Sequence, residues 1–226
     1  MSGDRSWEVE HHRGDAATFH DRPVEEGTGR SVWWFEVERP TVVLGSTQQR
    51  DVVDLDRLER SGVELARRRS GGGAVWLAPG DATWVDLVIP ARDPLWDDDV
   101  SRSSRWVAEA WVRCLESLGI QGARPHDGAM VEGRWSRLVC FAGLAPGEVT
   151  VDGRKVVGVS QRRTRSSARF QCAVLHRWHP GPLLDVLALS DPDRERALAD
   201  LGPMAGAVHI ASSAAIHDAL MAALPD

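Results

Sequence analysis

The sequence predicts an α/β (α+β) fold, in which a mixed, largely antiparallel sheet is flanked by helices. Short segments rich in β-branched and aromatic residues lie on both sides of one long amphipathic segment in the 226-residue chain. Two alanine- and leucine-rich helical segments follow the last of these strands. Strands that meander and are then followed by helices are typical of a sheet with helices laid on its faces.

The domain organisation follows from patterning along the chain. Residues 1–28 are polar and weakly patterned, so we expect a loosely held N-terminal arm. Residues 29–226 contain no linker and no internal repeat, and they are enough to bury one substantial core. We therefore expect a single domain over residues 29–226, with no accessory domain at its C-terminal end.

The predicted strands are short and separated by turn residues. They lie at residues 32–37, 41–44, 63–66, 74–77, 83–89, 138–142, 148–151, 155–160 and 170–175. Pro40 interrupts the pairing of the first two, because proline cannot donate to a strand ladder. Asp152-Gly153 is a favourable tight-turn dipeptide between two of the later strands.

The predicted helices lie at residues 51–61, 97–118, 183–201 and 212–224. Gly62 and Gly119 end the first two. The second helix is the most strongly patterned, since three aspartates precede an apolar stripe and face the positive end of the helix dipole.

The charge balance limits the classes of partner. The chain carries 27 Lys and Arg residues against 33 Asp and Glu residues, a formal net charge of -6. That balance gives no general attraction to nucleic acid or to an anionic membrane, so we expect neither as a partner. A local basic patch that favours an anion site is formed by Arg67, Arg68, Arg69, Arg162, Arg163 and Arg165.

Cysteine usage indicates a reducing compartment. The three cysteines form no C-x-x-C pair, no apolar signal segment precedes them, and no apolar run is long enough to cross a bilayer. We therefore expect a cytoplasmic protein. His176 and His179 form an H-x-x-H pair without a third ligand at suitable spacing, so we expect no metal site.

Lys155 is the single lysine of the chain, although arginine is abundant. A lysine ammonium can approach one carboxyl or phosphoryl oxygen as a point charge, in a pose that the planar guanidinium of arginine cannot take. Lys155 also lies where a turn runs into a strand. Both features make it a candidate for chemistry.

Three consecutive glycines, Gly71 to Gly73, follow Arg69-Ser70 and precede a predicted strand. A backbone without Cβ atoms can contact a ligand directly and turn its amides towards it, although an isolated glycine run also fits a flexible turn. Neither G-x-x-x-x-G-K-[ST] nor G-x-G-x-x-G occurs, so the phosphate-loop and dinucleotide-binding folds are not indicated.

Residues 67–75, RRRSGGGAV, and 153–163, GRKVVGVSQRR, resemble the two signature segments of the lipoate-protein ligase A family. Residues 42–48, VVLGSTQ, look like a third segment, and order and spacing agree over residues 33–175. The resemblance implies a biotin/lipoate protein ligase-like catalytic domain. Biotin would suit the same fold, but the R-R-x-S-G-G-G form favours lipoate.

The resemblance also implies a set of site residues. The arginine-glycine loop would pack over an acyl chain, and Lys155 would contact the acyl carboxyl or its adenylate. The implied catalytic residue is Lys155, and the candidate substrate-binding residues are Arg69, Ser70, Gly71, Gly72, Gly73, Ala74, Val75, Thr83, Val157, Gly158 and Gln161. The first expected activity is ATP-dependent attachment of lipoate, with ATP and Mg²⁺ as co-substrate, to a lysine of a lipoyl-accepting carrier domain.

Two alternatives remain open at this stage. Leu77, Ala78 and Thr83 stand where the family typically has His, Asp and Asn, which weakens the nucleotide side. A related branch of the superfamily transfers octanoyl groups from acyl carrier protein without ATP, and Cys140, 15 positions before Lys155, would be its nucleophile. Cys140 is equally compatible with a buried apolar position. The third hypothesis is a non-catalytic lipoyl-binding protein, or one chain of a two-chain ligase that needs a separate accessory protein.

Overall fold

The computed structural model describes residues 6–210 and 212–226, and its largest element is a seven-stranded sheet. In spatial order its strands are β1 (Glu8–Gly14), β2 (Ser31–Val37), β6 (Ala82–Pro90), β10 (Ser167–Leu175), β9 (Arg154–Arg163), β8 (Val149–Val151) and β7 (Ala123–Pro125). The β1–β2 pair is parallel and the other pairs in this sheet are antiparallel. The predicted mixed, largely antiparallel sheet with flanking helices is therefore confirmed.

A second, three-stranded sheet has the order β4 (Glu64–Arg67), β3 (Thr41–Leu44) and β5 (Val75–Leu77). The helices are α1 (Ala16–Asp21), α2 (Leu55–Ser61), α3 (Val100–Ser103), α4 (Arg105–Ser117), α5 (Gly181–Val186), α6 (Asp191–Leu201) and α7 (Ser213–Ala223). Within the described ranges, no helix is long and apolar enough to cross a membrane.

The two faces of the large sheet have different coverings, because successive strand residues point to opposite sides. One face packs against α4 and α7 in a core that includes Val85, Leu87, Phe170, Cys172, Trp111 and Leu220. The other face packs against α1 and the small sheet through Trp33, Phe35, Trp84, Phe19, Val43 and Leu77. The space between the two sheets contains the candidate site.

The predicted N-terminal arm over residues 1–28 is wrong for residues 8–21, which form β1 and α1. The Arg169 guanidinium donates hydrogen bonds to the carbonyls of Phe19 and Arg22, each at 2.7 Å, and so fixes the end of α1 on the sheet. An edge strand that is half solvated keeps a polar composition, which explains the weak pattern. Residues 1–5 lie outside the described part of the chain.

Two predicted helices are interrupted. Residues 97–118 form α3 and α4, which meet at Ser104, and residues 183–201 form α5 and α6 with a break after Val186. Asp99 caps α3 by accepting a hydrogen bond from the Ser101 amide at 2.8 Å. Apolar periodicity continues across these breaks, so the sequence pattern did not reveal them.

The predicted strand at residues 138–142 is wrong. Its main chain makes one β-bridge with Ala74, through hydrogen bonds of 2.8 Å (Ala74 N to Leu138 O) and 2.9 Å (Cys140 N to Ala74 O). It then enters a 3-10 turn, Cys140–Ala142. The apolar run resembles a strand because its side chains are buried, but its backbone pairs at a single position.

Candidate functional site

The glycine loop, residues 71–73, is held in shape by a buried arginine. The Arg68 guanidinium donates hydrogen bonds to the carbonyls of Val43 at 3.3 Å, Gly71 at 2.7 and 3.2 Å and Gly73 at 2.8 Å. Arg68 is 4% exposed, so its charge is used within the protein rather than presented to solvent. Hydrogen bonds to a charged donor are the stronger kind, and this set fixes the loop over the sheet.

Two glycines in this region are required by close backbone approach. A Cβ on Gly45 would lie 1.9 Å from the carbonyl oxygen of Gly72, and one on Gly73 would lie 2.6 Å from the Val139 nitrogen. Gly72 also has a φ of 96°, a left-handed conformation that favours glycine. The glycine loop is therefore packed directly against the backbone segment that leads to Cys140.

Cys140 begins the 3-10 turn and is half-buried, whereas Cys114 and Cys172 are fully buried. Burial raises the pKa of the Cys114 thiol to about 12 and also raises the pKa of the Cys172 thiol. The Cys140 sulfur lies 3.7 Å from the position that a Cβ on Gly72 would take. Of the three cysteines, Cys140 is the one accessible for chemistry, and it faces the glycine loop.

Lys155, at the start of β9, is 3% exposed and points back to the same turn. Its Nζ donates hydrogen bonds to the carbonyls of Cys140 at 3.1 Å and Gly143 at 3.2 Å, and it pairs with the Glu148 carboxylate at 2.7 Å. The ammonium also lies 4.7 Å from the centroid of the Phe141 ring. Lys155 thus joins β9 to the segment that carries Cys140.

A narrow cavity of about 50 Å³ lies between the sheets beside Cys140. Its lining is almost entirely apolar and includes Val43, Val75, Trp84, Phe141, Gly158 and Ala173. A Cβ on Gly158 would lie 3.1 Å from the edge of the Phe141 ring, so the missing side chain makes room at this wall. The apolar lining suits one end of a hydrocarbon chain.

Polar residues close one side of the cavity. Ser70 Oγ donates to Ser160 Oγ at 3.0 Å and approaches Gln171 Oε1 at 3.4 Å, which ties the glycine loop to β9 and β10. Gln171 Nε2 contacts His20 Nδ1 at 3.1 Å. Burial, and then the charges of Arg169 and Arg68, lower the pKa of His20 to about 3, so its imidazole is neutral at ordinary pH.

The structure brings together most of the predicted site residues. Cys140, Val75 and Gly158 line the cavity, Ser70 bonds to Ser160 in its wall, and Gly71, Gly72, Gly73 and Ala74 form the loop beside it. The Lys155 ammonium lies behind the Cys140 turn, outside the lining, where Glu148 and two carbonyls take up its hydrogen bonds.

Four predicted substrate-binding residues lie elsewhere. Arg69 pairs at the surface with Asp21, at 3.2 Å. Val157 is buried in the core beneath α4, and Gln161 accepts a hydrogen bond from Ser103 at 2.9 Å. Thr83 contacts His176 at 2.7 Å in a wider cleft of about 610 Å³. Strand alternation turns Thr83, Val157 and Gln161 away from the cavity, and Arg69 lies in the loop beyond the end of β4. A sequence motif does not record either direction.

Three arginines of the predicted patch donate hydrogen bonds to backbone carbonyls of the chain itself. Arg67 donates to the carbonyls of Ser46 and Gln48, and Arg163 to those of Asp97 and Asp98. With Arg68 inside the loop, these three arginines stabilise backbone turns, which reduces the anion patch expected from the sequence.

Sequence reasoning named Arg68 only as a member of the expected anion patch, and it gave no site role to Glu148, His20 or Phe141. Arg68 is next to Arg69, and Phe141 is next to Cys140, so both adjoin predicted site residues. Glu148 is an acidic residue in the hairpin that contains Lys155, and this proximity was a signal for a counter-ion. His20 carried no signal in a segment expected to be loosely held. Among the residues with described positions, no group of three or more His, Cys, Asp or Glu side chains is arranged to hold a metal ion.

The fold and the site define a class of protein: a two-sheet α/β domain with a small apolar cavity that a thiol lines, a glycine loop packed beside that thiol, and a buried ammonium behind the turn that carries it. The family model of the lipoyl protein ligase A/B catalytic domain matches residues 15–202. The chain belongs to this family.

Curated relatives carry two kinds of name. The octanoyltransferase LipM of Clostridioides difficile is 31% identical over 149 residues, covering 66% of this chain and 54% of that protein. The LipM of Kyrpidia tusciae is 32% identical over 186 residues, covering 78% and 65%. Lipoate-protein ligase A subunit 1 of Thermoplasma acidophilum is 38% identical over 88 residues, covering 38% and 31%. The chain thus spans about half to two thirds of the length of these two octanoyltransferases.

Solved structures share the fold. The bi-partite lipoate protein ligase of Thermoplasma acidophilum, studied with its E2 lipoyl domain, superposes with a TM-score of 0.75 at 21% identity, covering 96% of this chain and 80% of that one. A lipoate protein ligase from the same organism with bound lipoic acid gives a TM-score of 0.67 at 20% identity, covering 96% and 83%.

Proposed function

We propose that the protein is a cysteine-dependent octanoyltransferase, which moves an octanoyl or lipoyl group from a carrier thioester to a lysine of a lipoyl-accepting carrier domain. The observation that carries the proposal is the half-buried Cys140 sulfur, which lines the apolar cavity and faces the glycine loop. Similarity to proteins named octanoyltransferase LipM supports it. The sequence favoured ATP-dependent ligation over octanoyl transfer. The position of Cys140 at the cavity leads us to favour octanoyl transfer instead.

The reaction has two balanced acyl transfers. The Cys140 thiolate attacks the thioester carbonyl, the bond between carbonyl and carrier sulfur breaks, and the carrier leaves as a thiol after taking up a proton. The acceptor lysine amine then attacks the Cys140 thioester, an amide forms, and the Cys140 thiolate is released while the amine loses a proton. No nucleotide is consumed in either step.

The residues around the cavity supply distinct contributions. Val43, Val75 and Ala173 bury the hydrocarbon chain, while the glycine loop lets the backbone close over it without side chains. Lys155 holds the turn that carries Cys140, through hydrogen bonds to the carbonyls of Cys140 and Gly143.

ATP-dependent lipoate ligation is the second candidate, supported by similarity to a lipoate-protein ligase subunit. The residues present fit a nucleotide poorly. Leu77 is buried and apolar, Ala78 carries no ligand for phosphate or Mg²⁺, and Thr83 is already paired with His176.

The partners proposed are acyl carrier protein as donor and a lipoyl-accepting carrier domain as acceptor. For the ligase candidate, a separate accessory protein would be a further partner, as the bi-partite ligase of Thermoplasma acidophilum suggests by analogy. We propose a cytoplasmic location, where such carriers and free thiols are found.

The test is intact-mass measurement after incubation with octanoyl carrier protein, in parallel with lipoate plus ATP. We expect a covalent octanoyl adduct with the first donor, absent in Cys140→Ser, and no pyrophosphate with the second. Pyrophosphate release with lipoate and ATP, without a Cys140 adduct, would establish ligation instead. Neither signal would indicate a binding protein.

A further inference from the structure

Glu148 has no assigned role, yet its carboxylate is fixed on every side. It is 3% exposed and lies just before β8. Its Oε1 pairs with Lys155 Nζ at 2.7 Å and accepts the Val159 amide at 3.2 Å, and its Oε2 accepts the Ala145 amide at 2.8 Å. A carboxylate with two main-chain donors and one ammonium has little freedom to move.

The ammonium of Lys155 is equally committed. It has three protons, and its three acceptors are Glu148 and the carbonyls of Cys140 and Gly143. Two of these acceptors belong to the turn that carries the thiol. The position of Glu148 therefore fixes the position of the Lys155 ammonium. The ammonium in turn fixes the backbone conformation of the turn that carries Cys140.

We propose that Glu148 is the positioning residue of the site, the third member of a Cys140–Lys155–Glu148 chain. It holds the Lys155 ammonium against the Cys140 turn and balances its charge. This inference rests on the cysteine-dependent function proposed above. The arrangement is similar to that of other activated nucleophiles, in which a charged side chain beside the nucleophile is itself oriented by a third group.

The first variant is Glu148→Gln, which keeps the size of the side chain and removes its charge. We expect the rate of Cys140 acylation by octanoyl carrier protein to fall about 10²-fold, because small displacements of reacting groups have effects of that size. Glu109→Gln is the matched control, since Glu109 makes a surface pair with Arg105 at 3.0 Å. The control is expected to acylate at the wild-type rate.

A second readout separates positioning from general loss of structure: the pH dependence of Cys140 alkylation by iodoacetamide. In Glu148→Gln the unbalanced ammonium stabilises the thiolate, so the midpoint of the alkylation profile moves to lower pH while acyl transfer slows. In Lys155→Met the midpoint moves to higher pH. Arg68 and His20, the other charged or titratable groups near Cys140, are unchanged in these variants.

Three further outcomes are decisive. If Glu148 acts through Lys155, adding Glu148→Gln to Lys155→Met causes no additional loss of acylation rate. If Glu148→Gln fails to fold, Glu148→Asp, which retains a carboxylate on a shorter side chain, is expected to fold with a smaller rate loss. Wild-type acylation and an unmoved alkylation profile in Glu148→Gln, or in Glu148→Asp if it replaces that variant, would overturn the proposal.

The proposed function can fail separately from this inference. If the wild-type protein forms no octanoyl adduct, the acyltransferase assignment is lost. The alkylation profiles of Glu148→Gln and Lys155→Met then still decide whether Glu148 balances Lys155 beside the thiol.

Discussion

Cys140 and Lys155 illustrate how exposure decides the chemistry of a residue. Cys140 is half-buried and faces a cavity, whereas Lys155 is almost completely buried and all its protons have acceptors within the chain. The thiol is thus accessible from the cavity, and the ammonium is held within the fold against the turn that carries the thiol.

The first prediction concerns thiol reactivity. Under native conditions iodoacetamide should modify Cys140 and leave Cys114 and Cys172 unmodified, because both are buried and burial raises their pKa values. Intact mass and peptide mapping over time provide the measurement, with Cys140→Ser as the unlabelled control. Labelling of Cys172 at a comparable rate in folded protein would contradict the burial described.

The second prediction concerns the buried ion pair. Lys155→Met should lower the free energy of unfolding by about 3–5 kcal/mol, because the Glu148 carboxylate is left buried without its counter-ion. The double variant Lys155→Met/Glu148→Leu should recover part of this loss in urea unfolding. Equal stability of Lys155→Met and the wild-type protein would mean that the pair is open to solvent.

At the scale of elements, the glycine loop is a backbone surface fixed by a buried charge. The buried Arg68 guanidinium donates hydrogen bonds to the carbonyls of Gly71 and Gly73. The loop and the adjoining Ala74 also contact the backbone of residues 138–140. The next arginine, Arg69, points to the surface and pairs with Asp21. Neighbouring arginines thus have different tasks.

The third prediction compares two glycines of the loop. Gly72→Val should abolish acylation, because a side chain there strains a φ of 96° and its Cβ would lie 2.8 Å from Arg68 Nη2 and 3.7 Å from the Cys140 sulfur. Gly71→Ala is the control, since a Cβ there has nothing within 4 Å. Octanoyl adduct formation is the measurement. Wild-type adduct formation in Gly72→Val would show that the acyl group does not bind beside the loop.

The fourth prediction compares the two arginines. Arg68→Ala should lower the free energy of unfolding by about 3 kcal/mol, because several buried carbonyls lose a charged donor. Arg69→Ala should change it by less than about 0.5 kcal/mol, as expected of an exposed pair. Thermal unfolding of the two variants side by side gives the difference, and similar values would show that Arg68 is not the loop's anchor.

At the scale of the whole molecule, buried titratable groups join α1 to the large sheet. Asp86 is buried and accepts a hydrogen bond from Arg169 at 2.5 Å, and Arg169 in turn holds the end of α1. The imidazole of His20, in α1, packs at a tilt against Trp84, with 4.4 Å between ring centroids. The N-terminal segment is therefore part of the core, and buried titratable side chains contribute to its packing.

The fifth prediction is a pH dependence of stability. Because burial lowers the pKa of His20 from 6.5 to about 3, the unfolded chain binds this proton first as pH falls. The contribution of His20 to the free energy of unfolding is fully present above about pH 6.5. It declines as the pH falls towards 3, by at most about 1.4 kcal/mol per pH unit.

The matched variant is His20→Phe, which keeps an aromatic ring on Trp84 and removes the titration. Urea unfolding between pH 7 and pH 4 should show a shallower decline for the variant than for the wild-type protein. Asp86, whose pKa is raised by burial, is present in both and cancels in the difference. Identical pH slopes would mean that folding does not lower the pKa of His20.

Local sequence patterns were sufficient to predict several strands, one helix and some of the candidate site residues. The strands around residues 155–160 and 170–175 and the helix at the chain's end were predictable, because alternation, apolar stripes and turn dipeptides act over a few residues. The glycine run and the single lysine were recognisable as site candidates for the same reason, since backbone access and a point charge are properties of residue type.

The sequence by itself determined the class of sheet, the glycine loop, Lys155 and Cys140 as candidates. Only the tertiary structure decided that Arg68 rather than Arg69 shapes the loop, that Val157, Gln161 and Thr83 face away, and that residues 8–21 belong to the core. It also paired Lys155 with Glu148. The physical reason is that side-chain direction, burial and ion pairing depend on which distant segments meet, and no local pattern records those contacts.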